Sequence, residues 1–214
     1  MPGGEEYIKD AKKNGALDVV KMNRFEMGQF VRAKFSNPSS KLAVIGVTGT
    51  NGKTSVTHFV YQALTLLKKK PFVLGTLNSA LTTPESLDSV RLMSQHLSDG
   101  GTHFIMEVSS HAIKQGRVAG IDFEVRCLTN ISQDHLDYHS SFDEYKQTKK
   151  SFIRGNNGTA IDREQFLSLD VPKNNYLRGQ FNIENLQASK AILLALKIKE
   201  ADINRVLSEV KAPP

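Results

Sequence analysis

The stretch Val-Ile-Gly-Val-Thr-Gly-Thr-Asn-Gly-Lys-Thr-Ser, residues 44–55, admits few folds. Leu42 to Val47 is a short apolar run, as expected of a buried parallel strand. Glycines follow at 46, 49 and 52. Beyond them Val56, Phe59, Val60, Ala63, Leu64 and Leu67 keep helical spacing and mark one buried face. A strand, a glycine turn and a helix start, in that order, make an anion seat: backbone N–H groups converge and the helix N-terminus faces the charge. Lys53 then reaches terminal phosphates and the Thr54 hydroxyl suits Mg²⁺. The common phosphate-loop pattern, G-x-x-x-x-G-K-[ST], is missed by one position, since Val47 stands where its first glycine belongs. A plain strand-to-helix turn with a solvated lysine is the simpler alternative. It leaves the joint placement of Gly52, Lys53 and Thr54 at a helix start unexplained, which favours the phosphate site.

The same strand-helix rhythm continues. Pro71–Leu74, Phe104–Val108 and Val125–Thr129 read as strands, separated by helical segments. One of these starts at Thr83-Pro84-Glu85 and carries Leu87, Val90, Met93 and Leu97 as its stripe. The expected fold is α/β, a mostly parallel sheet with helices on both faces, in the manner of phosphate-loop nucleotide-binding domains. Before it, Glu6–Lys13 and Phe25–Phe35 read as helices ahead of the break at Asn37-Pro38-Ser39-Ser40. After it, Asn182–Leu196 and Ala201–Val210 are helical, while Arg154–Tyr176 is turn-rich and lacks periodicity. No internal repeat or low-complexity segment is present.

Composition narrows the function classes. The 214 residues are 39% hydrophobic and 23% charged, a globular balance. No apolar run approaches the ~20 residues of a membrane helix. With one cysteine, Cys127, no intrachain disulfide forms and a cytoplasmic setting is expected. The net charge of +6 invites an anionic partner, but the cations are scattered and the run Lys68–Lys70 ends a helix, so no nucleic-acid surface is expected.

Two further positions carry chemistry on residue grounds alone. Glu107 ends a buried strand at the sheet edge where ligands bind, so a Mg²⁺ ligand fits it better than a structural ion pair. Ser141-x-x-Glu144 opens a helix on which Phe142, Tyr145, Lys149 and Phe152 share one face, at steps of 3, 4 and 3. Lys146 and Lys150 fall on the polar side. A lysine among aromatics can be snorkelling. It can also be a desolvated amine of lowered pKa, able to add CO₂ and become an oxygen-donating carbamate suited to Mg²⁺.

"TGTNGKT" (48–54), "LTTPES" (81–86), "MEVSSHAIKQGRV" (106–118), "TNISQDHLDYH" (129–139) and "FNIENLQAS" (181–189) together resemble the Mur ligases, in their order. These are ATP-dependent amide-forming enzymes of peptidoglycan synthesis, and the match is to the branch that adds the third residue. It covers about 41–153 and 177–214. The resemblance explains Val47, since the family loop has its glycine at Gly49. It implies nucleotide contacts from Gly49, Thr50, Asn51, Gly52, Lys53, Thr54 and Ser55, with Asn182 and Asn185 at the adenine. It implies Thr82, Thr83, Ser109, Gln115 and Arg117 as holders of UDP-N-acetylmuramoyl-dipeptide. Two Mg²⁺ sites follow from it, with Thr54, Glu107, His135 and a carbamylated Lys149 as ligands, and Lys53, Glu107, His135 and Lys149 as the catalytic set. On the residues alone, Thr83, Asn182 and Asn185 could be helix caps, Arg117 a surface charge and His135 structural.

The family plan has three domains. Residues 1–39 are expected to be the remnant of the uridine-binding domain, and "YIKDAKKNGALDVV" faintly resembles its tail. Residues 40–214 are expected to form the central ATP-binding domain, shortened around 153–176, with the amino-acid-binding C-terminal domain absent. The expected activity is ligation of diaminopimelate or lysine onto the muramoyl-dipeptide through an acyl phosphate, by a monomer. A nucleotide-binding module without turnover stays open as an alternative. A folylpolyglutamate synthetase-like ligase is disfavoured by "EVSSHA" and "DHLDYH".

Overall fold

In a computed structural model of the chain, residues 4–134, 138–155 and 157–214 are described. Two helices lead in, α1 (Gly4–Lys13) and α2 (Arg24–Lys34), then a 3₁₀ turn at Pro38–Ser40. The alternating part follows: β1 (Ala43–Thr48), α3 (Lys53–Leu66), β2 (Pro71–Leu74), α4 (Ser86–Ser98), β3 (His103–Glu107), α5 (Ser110–Lys114) and β4 (Val125–Leu128). It closes with α6 (Phe142–Ile153), β5 (Thr159–Ile161), α7 (Arg163–Phe166), α8 (Gln180–Ala195) and α9 (Glu200–Leu207). The strands form one sheet in the order β2-β3-β1-β4-β5, and every pairing is parallel.

Alternation along the strands builds two cores. Ile45 and Val47 of β1 and Ile105 of β3 face one side, where Phe59, Val60, Leu186, Ile192 and Val206 of α3, α8 and α9 cover them. Val44, Phe104 and Met106 face the other, against Val31, Val90, Met93, Phe123 and Phe152. Strands buried on both faces are the usual condition of parallel sheets. Gly46 in mid-β1 leaves the space where Phe123 and Phe152 meet edge to face, centroids 5.1 Å apart.

The expected strands are all present, each within one residue of its anticipated ends. The segment 154–176 holds more than turns: β5 adds to the sheet edge, Cys127 pairing with Ile161, and α7 follows behind a capping box from Asp162 to Gln165. Three strand residues are too few to show a period, so pairing with β4 decides their conformation. Lys190, buried on α8, ties this segment down by donating to the Asp170 carbonyl at 2.6 Å while pairing with Glu200.

Helix α2 is docked onto the loop at 115–122. Asn23 caps it in a reciprocal box with Glu26. Gly28 lies against the backbone of Ala119 and Gly120 so closely that a Cβ there would overlap the Ala119 carbonyl. Arg32 pairs with Asp122 at 2.8 Å, and Asn37 donates to the same carboxylate.

Gly28→Ala tests this packing by its sign. In an unpacked helix the change gains about 1 kcal/mol. Here it should instead lower stability by roughly 1–3 kcal/mol, the range for overpacking. Chemical denaturation measures it, and a gain would mean that α2 stands free of the 115–122 loop.

Candidate functional site

The register sets the site. Val47 of β1 pairs with Glu107 of β3, and Thr48 with Leu128 of β4, so three strand ends stop level around the glycine turn. The turn is gripped from the β4 side. Thr129 Oγ1 donates to the Asn51 carbonyl at 2.6 Å, Asn51 N–H donates to Asn130 Oδ1 at 2.9 Å, and Thr50 N–H donates to the Asn130 carbonyl. Thr50 Oγ1 lies 2.9 Å from the Tyr145 hydroxyl. Gly49 abuts Thr129 Oγ1 with no room for a Cβ.

Helix α3 starts at Gly52, which is left-handed at φ 83° and offers no side-chain cap. By contrast α2, α5, α6 and α7 are capped by Asn23, Ser109, Ser141 and Asp162. The first N–H groups of α3 are therefore available to an anion. Lys53 curls back and donates to the carbonyls of Gly49 and Thr50, both at 2.9 Å. Lys149 arrives from α6, only 1% exposed, over the Tyr145 ring, and donates to the same Gly49 carbonyl at 2.8 Å. Burial lowers the pKa of Lys53, against the pull of Glu107 and Asp134. Lys149 falls further, to about 7, first through burial and then through the nearby charge of Lys53, with Asp134 opposing.

On the β3 side, Glu107 is buried; its carboxylate accepts from Thr54 Oγ1 at 3.0 Å and from Thr76 N–H at 2.9 Å. A hydroxyl and a carboxylate beside an open helix start are hard oxygen donors that fit Mg²⁺. Among the described residues no group of three or more His, Cys, Asp or Glu gathers. His135 lies outside the described residues.

Two cavities flank the turn. One, of about 270 Å³, is lined by Lys53, Thr82, Thr83, Ser109, Arg117 and Lys149. Thr83 is held there by its hydroxyl, which donates to the Glu107 carbonyl at 2.9 Å and accepts from Ser109 N–H at 3.0 Å. It is not the cap of α4, whose N-cap is Glu85. Arg117 is no free surface charge, since it donates to the Thr83 carbonyl and to Gln115 Oε1. The other cavity, of about 360 Å³, is lined among others by Asn51, Gly52, Ser55, Asn130, Phe166 and Asn185. Asn182 does not join it. Its amide caps back onto the Arg178 carbonyl at 2.8 Å, and it lines a separate cavity of about 420 Å³ with Leu169 and Ile183.

The structure thus brings Gly49–Ser55, Glu107, Lys149, Asn185, Thr82, Thr83, Ser109, Gln115 and Arg117 to one sheet edge, and leaves Asn182 apart. Sequence reasoning missed the grip by Thr129 and Asn130, although both stand in a quoted motif. It placed Tyr145 beside Lys149 but missed its hydroxyl contact with Thr50, and it missed Thr76 and the ring of Phe166, neither of which carries a local signal.

The comparisons agree with this geometry. A family model described as Mur ligase middle domain matches residues 47–165. The UDP-N-acetylmuramoyl-L-alanyl-D-glutamate--2,6-diaminopimelate ligase of Pseudomonas putida is 46% identical over 175 residues, spanning 68% of this chain and 35% of that protein. The enzyme of the same name from Caldanaerobacter subterraneus subsp. tengcongensis is 38% identical over 173 residues, spanning 69% and 36%. The chain therefore spans about a third of the length of these relatives. A solved ligase of that name superposes with a TM-score of 0.72 at 22% identity, over 89% of this chain and 51% of its own. Mycobacterium tuberculosis folylpolyglutamate synthase superposes at 0.68 and 14% identity, over 88% and 63%. At these identities the superpositions establish the fold.

Lys149 makes stability depend on pH. Its folded pKa, about 7, lies below the ordinary lysine value of 10.5. Between those values the unfolded chain binds a proton that the folded chain does not, so stability rises with pH across that window; below it the full penalty is present. In CO₂-depleted buffer, the melting temperature of the wild type should gain on that of Lys149→Met as pH goes from 7 to 9.5. A difference independent of pH would show that Lys149 titrates normally.

Proposed function

The chain belongs to the Mur ligase family, matched over the middle domain, and on that premise we propose that it carries the ATP- and Mg²⁺-binding part of a cytoplasmic amide ligase. The reaction is addition of a third amino acid to UDP-N-acetylmuramoyl-L-alanyl-D-glutamate. The amino acid is diaminopimelate or lysine, and the relatives named for 2,6-diaminopimelate favour the former. Residues 1–39 correspond to the end of a uridine-binding domain and 40–214 to the central domain. The observation that carries the reading is the pair of cavities on either side of one glycine turn, with Lys53 and Lys149 lining the smaller one beside the open start of α3.

Residues Gly49–Ser55 wrap the phosphates of ATP, the N–H groups of the turn and of α3 acting as fixed donors. Asn185 and the ring of Phe166 receive the adenine in the larger cavity. Thr82, Thr83, Ser109, Gln115 and Arg117 hold the acceptor in the smaller one. The acceptor carboxylate attacks the γ-phosphorus and ADP leaves. The amine then attacks the acyl carbon, phosphate leaves and the amine gives up a proton. Lys53 swings off its own loop to the transferring phosphoryl group and stabilises its charge there. Thr54 and Glu107 would hold Mg²⁺, which supplies charge neutralisation of the phosphates. His135 and a carbamylated Lys149 would hold a second Mg²⁺. The neutral Lys149 amine forms a C–N bond to CO₂ and loses a proton, giving an anionic carbamate.

Turnover of ATP, measured with and without UDP-N-acetylmuramoyl-dipeptide, tests the reading. Stimulation by the acceptor supports it. Tight ATP binding with no turnover in either case favours a nucleotide-binding module instead. Lys53→Ala should lower ATP affinity at least tenfold and leave a folded protein, because the loss of two carbonyl hydrogen bonds, about 1 kcal/mol each, is offset by relief of the burial that lowers its pKa. Unchanged ATP affinity would remove the phosphate loop from the account.

Lys149→Ala should impair phosphoryl transfer more than ATP binding, and a small carboxylic acid should restore part of the rate. Lys150→Ala, on the far side of α6, should leave both unchanged. Rates belong to a protein with all three family domains joined; absence of rescue there would argue against the carbamate.

A further inference from the structure

Gln115 and Arg117 are placed by a residue from outside the sheet. Arg24, the first residue of α2, donates from Nη1 to Gln115 Oε1 at 2.8 Å and pairs through Nη2 with Glu85 Oε1 at 3.1 Å. Arg117 reaches the same two oxygens: Nη2 to Gln115 Oε1 at 2.7 Å, and Nε to Gln115 Oε1 at 3.0 Å and to Glu85 Oε1 at 3.2 Å. One amide oxygen and one carboxylate oxygen thus serve two guanidinium groups. Gln115 Oε1 is saturated, which orients the amide and sends its Nε2 to the Tyr138 hydroxyl at 3.0 Å.

The charge count decides what the cluster does. Two arginines share one carboxylate, leaving a surplus of one positive charge at the rim of the cavity that Lys53, Lys149 and Arg117 line. Without Arg24, Glu85 would neutralise Arg117 alone and the surplus would vanish. The helix that brings Arg24 is held in register with the loop by Phe25 against Gly116, Gly28 against Ala119 and Arg32 on Asp122.

We infer that Arg24 is a positioning and specificity-determining residue for the anionic acceptor: it fixes Gln115 and shares the Glu85 carboxylate with Arg117, so that Glu85 does not offset the Arg117 charge alone and a net positive charge faces the ligand. This rests on the reading of Thr82, Thr83, Ser109, Gln115 and Arg117 as the acceptor seat.

Calorimetric titration of the 214-residue chain with UDP-N-acetylmuramoyl-L-alanyl-D-glutamate, and separately with ATP and Mg²⁺, tests it. Arg24→Gln should weaken the acceptor about tenfold, equivalent to ~1.4 kcal/mol, and leave ATP affinity unchanged. Glu85→Gln added to Arg24→Gln should recover most of the loss, because no carboxylate then offsets the Arg117 charge. Arg24→Lys should retain most of the affinity, and Arg91→Gln, which removes an exposed pair with Asp88 on α4, should change neither ligand. Equal acceptor binding by wild type and Arg24→Gln would overturn the inference alone. So would a loss in Arg24→Gln that Glu85→Gln does not repair, or one shared by ATP, since both mark a merely structural helix contact. No acceptor binding by the wild type would overturn the acceptor-seat reading and the inference with it.

Discussion

Parallel pairing of β1 with β3 and β4, with Val47 beside Glu107 and Thr48 beside Leu128, decides where chemistry is possible in this chain. In a parallel sheet all strand ends of one sense lie on one edge, so the turns that follow them share a rim. The glycine turn, the Glu107 carboxylate and the Thr129–Asn130 grip meet because three strands stop at one level. Shifting β3 by a single residue would exchange its two faces and carry Glu107 out of reach of Thr54.

Within that frame the turn is electrostatically unfinished. Two amine-bearing side chains, Lys53 and Lys149, lean on one carbonyl, that of Gly49, while the N–H groups of α3 begin uncapped beside them. Carbonyl oxygens offset part of the burial of such groups but carry no net charge. The cavity side that Arg117 also lines is therefore predisposed to anions before any ligand arrives. That is the condition for electrostatic stabilisation that costs little reorganisation.

The sheet was legible because its strands are apolar runs set between helices long enough to show their period, and because glycines mark the turn after β1. Lys149 was legible for the same reason: steps of 3, 4 and 3 put it with Phe142, Tyr145 and Phe152, and the structure buries it with Tyr145 and Phe152. What stayed hidden is what depends on contacts distant in sequence. β5 is a strand only through β4, and Tyr145 meets Thr50 across 95 positions. The family resemblance gave Asn182 and Asn185 a common role, yet α8 aims them at different cavities. Arg24 carries no local signal at all, since its partners Gln115 and Glu85 lie 91 and 61 residues away.

Gly52 has a further consequence. It sits where α3 begins and directly beneath the Asn185 carboxamide of α8, with no room between them for one more carbon. The two helices are therefore clamped at that point, main chain against side chain, and they pack along their length into one core. The span from the open start of α3 to the cavity beside Asn185 is thus set chiefly by the packing of the two helices, with the Asn185 carboxamide as its adjustable wall. A ligand bridging the two must match that length. Exchange of Asn185 would move only that wall, whereas a larger change of length would need the two helices to shift against each other.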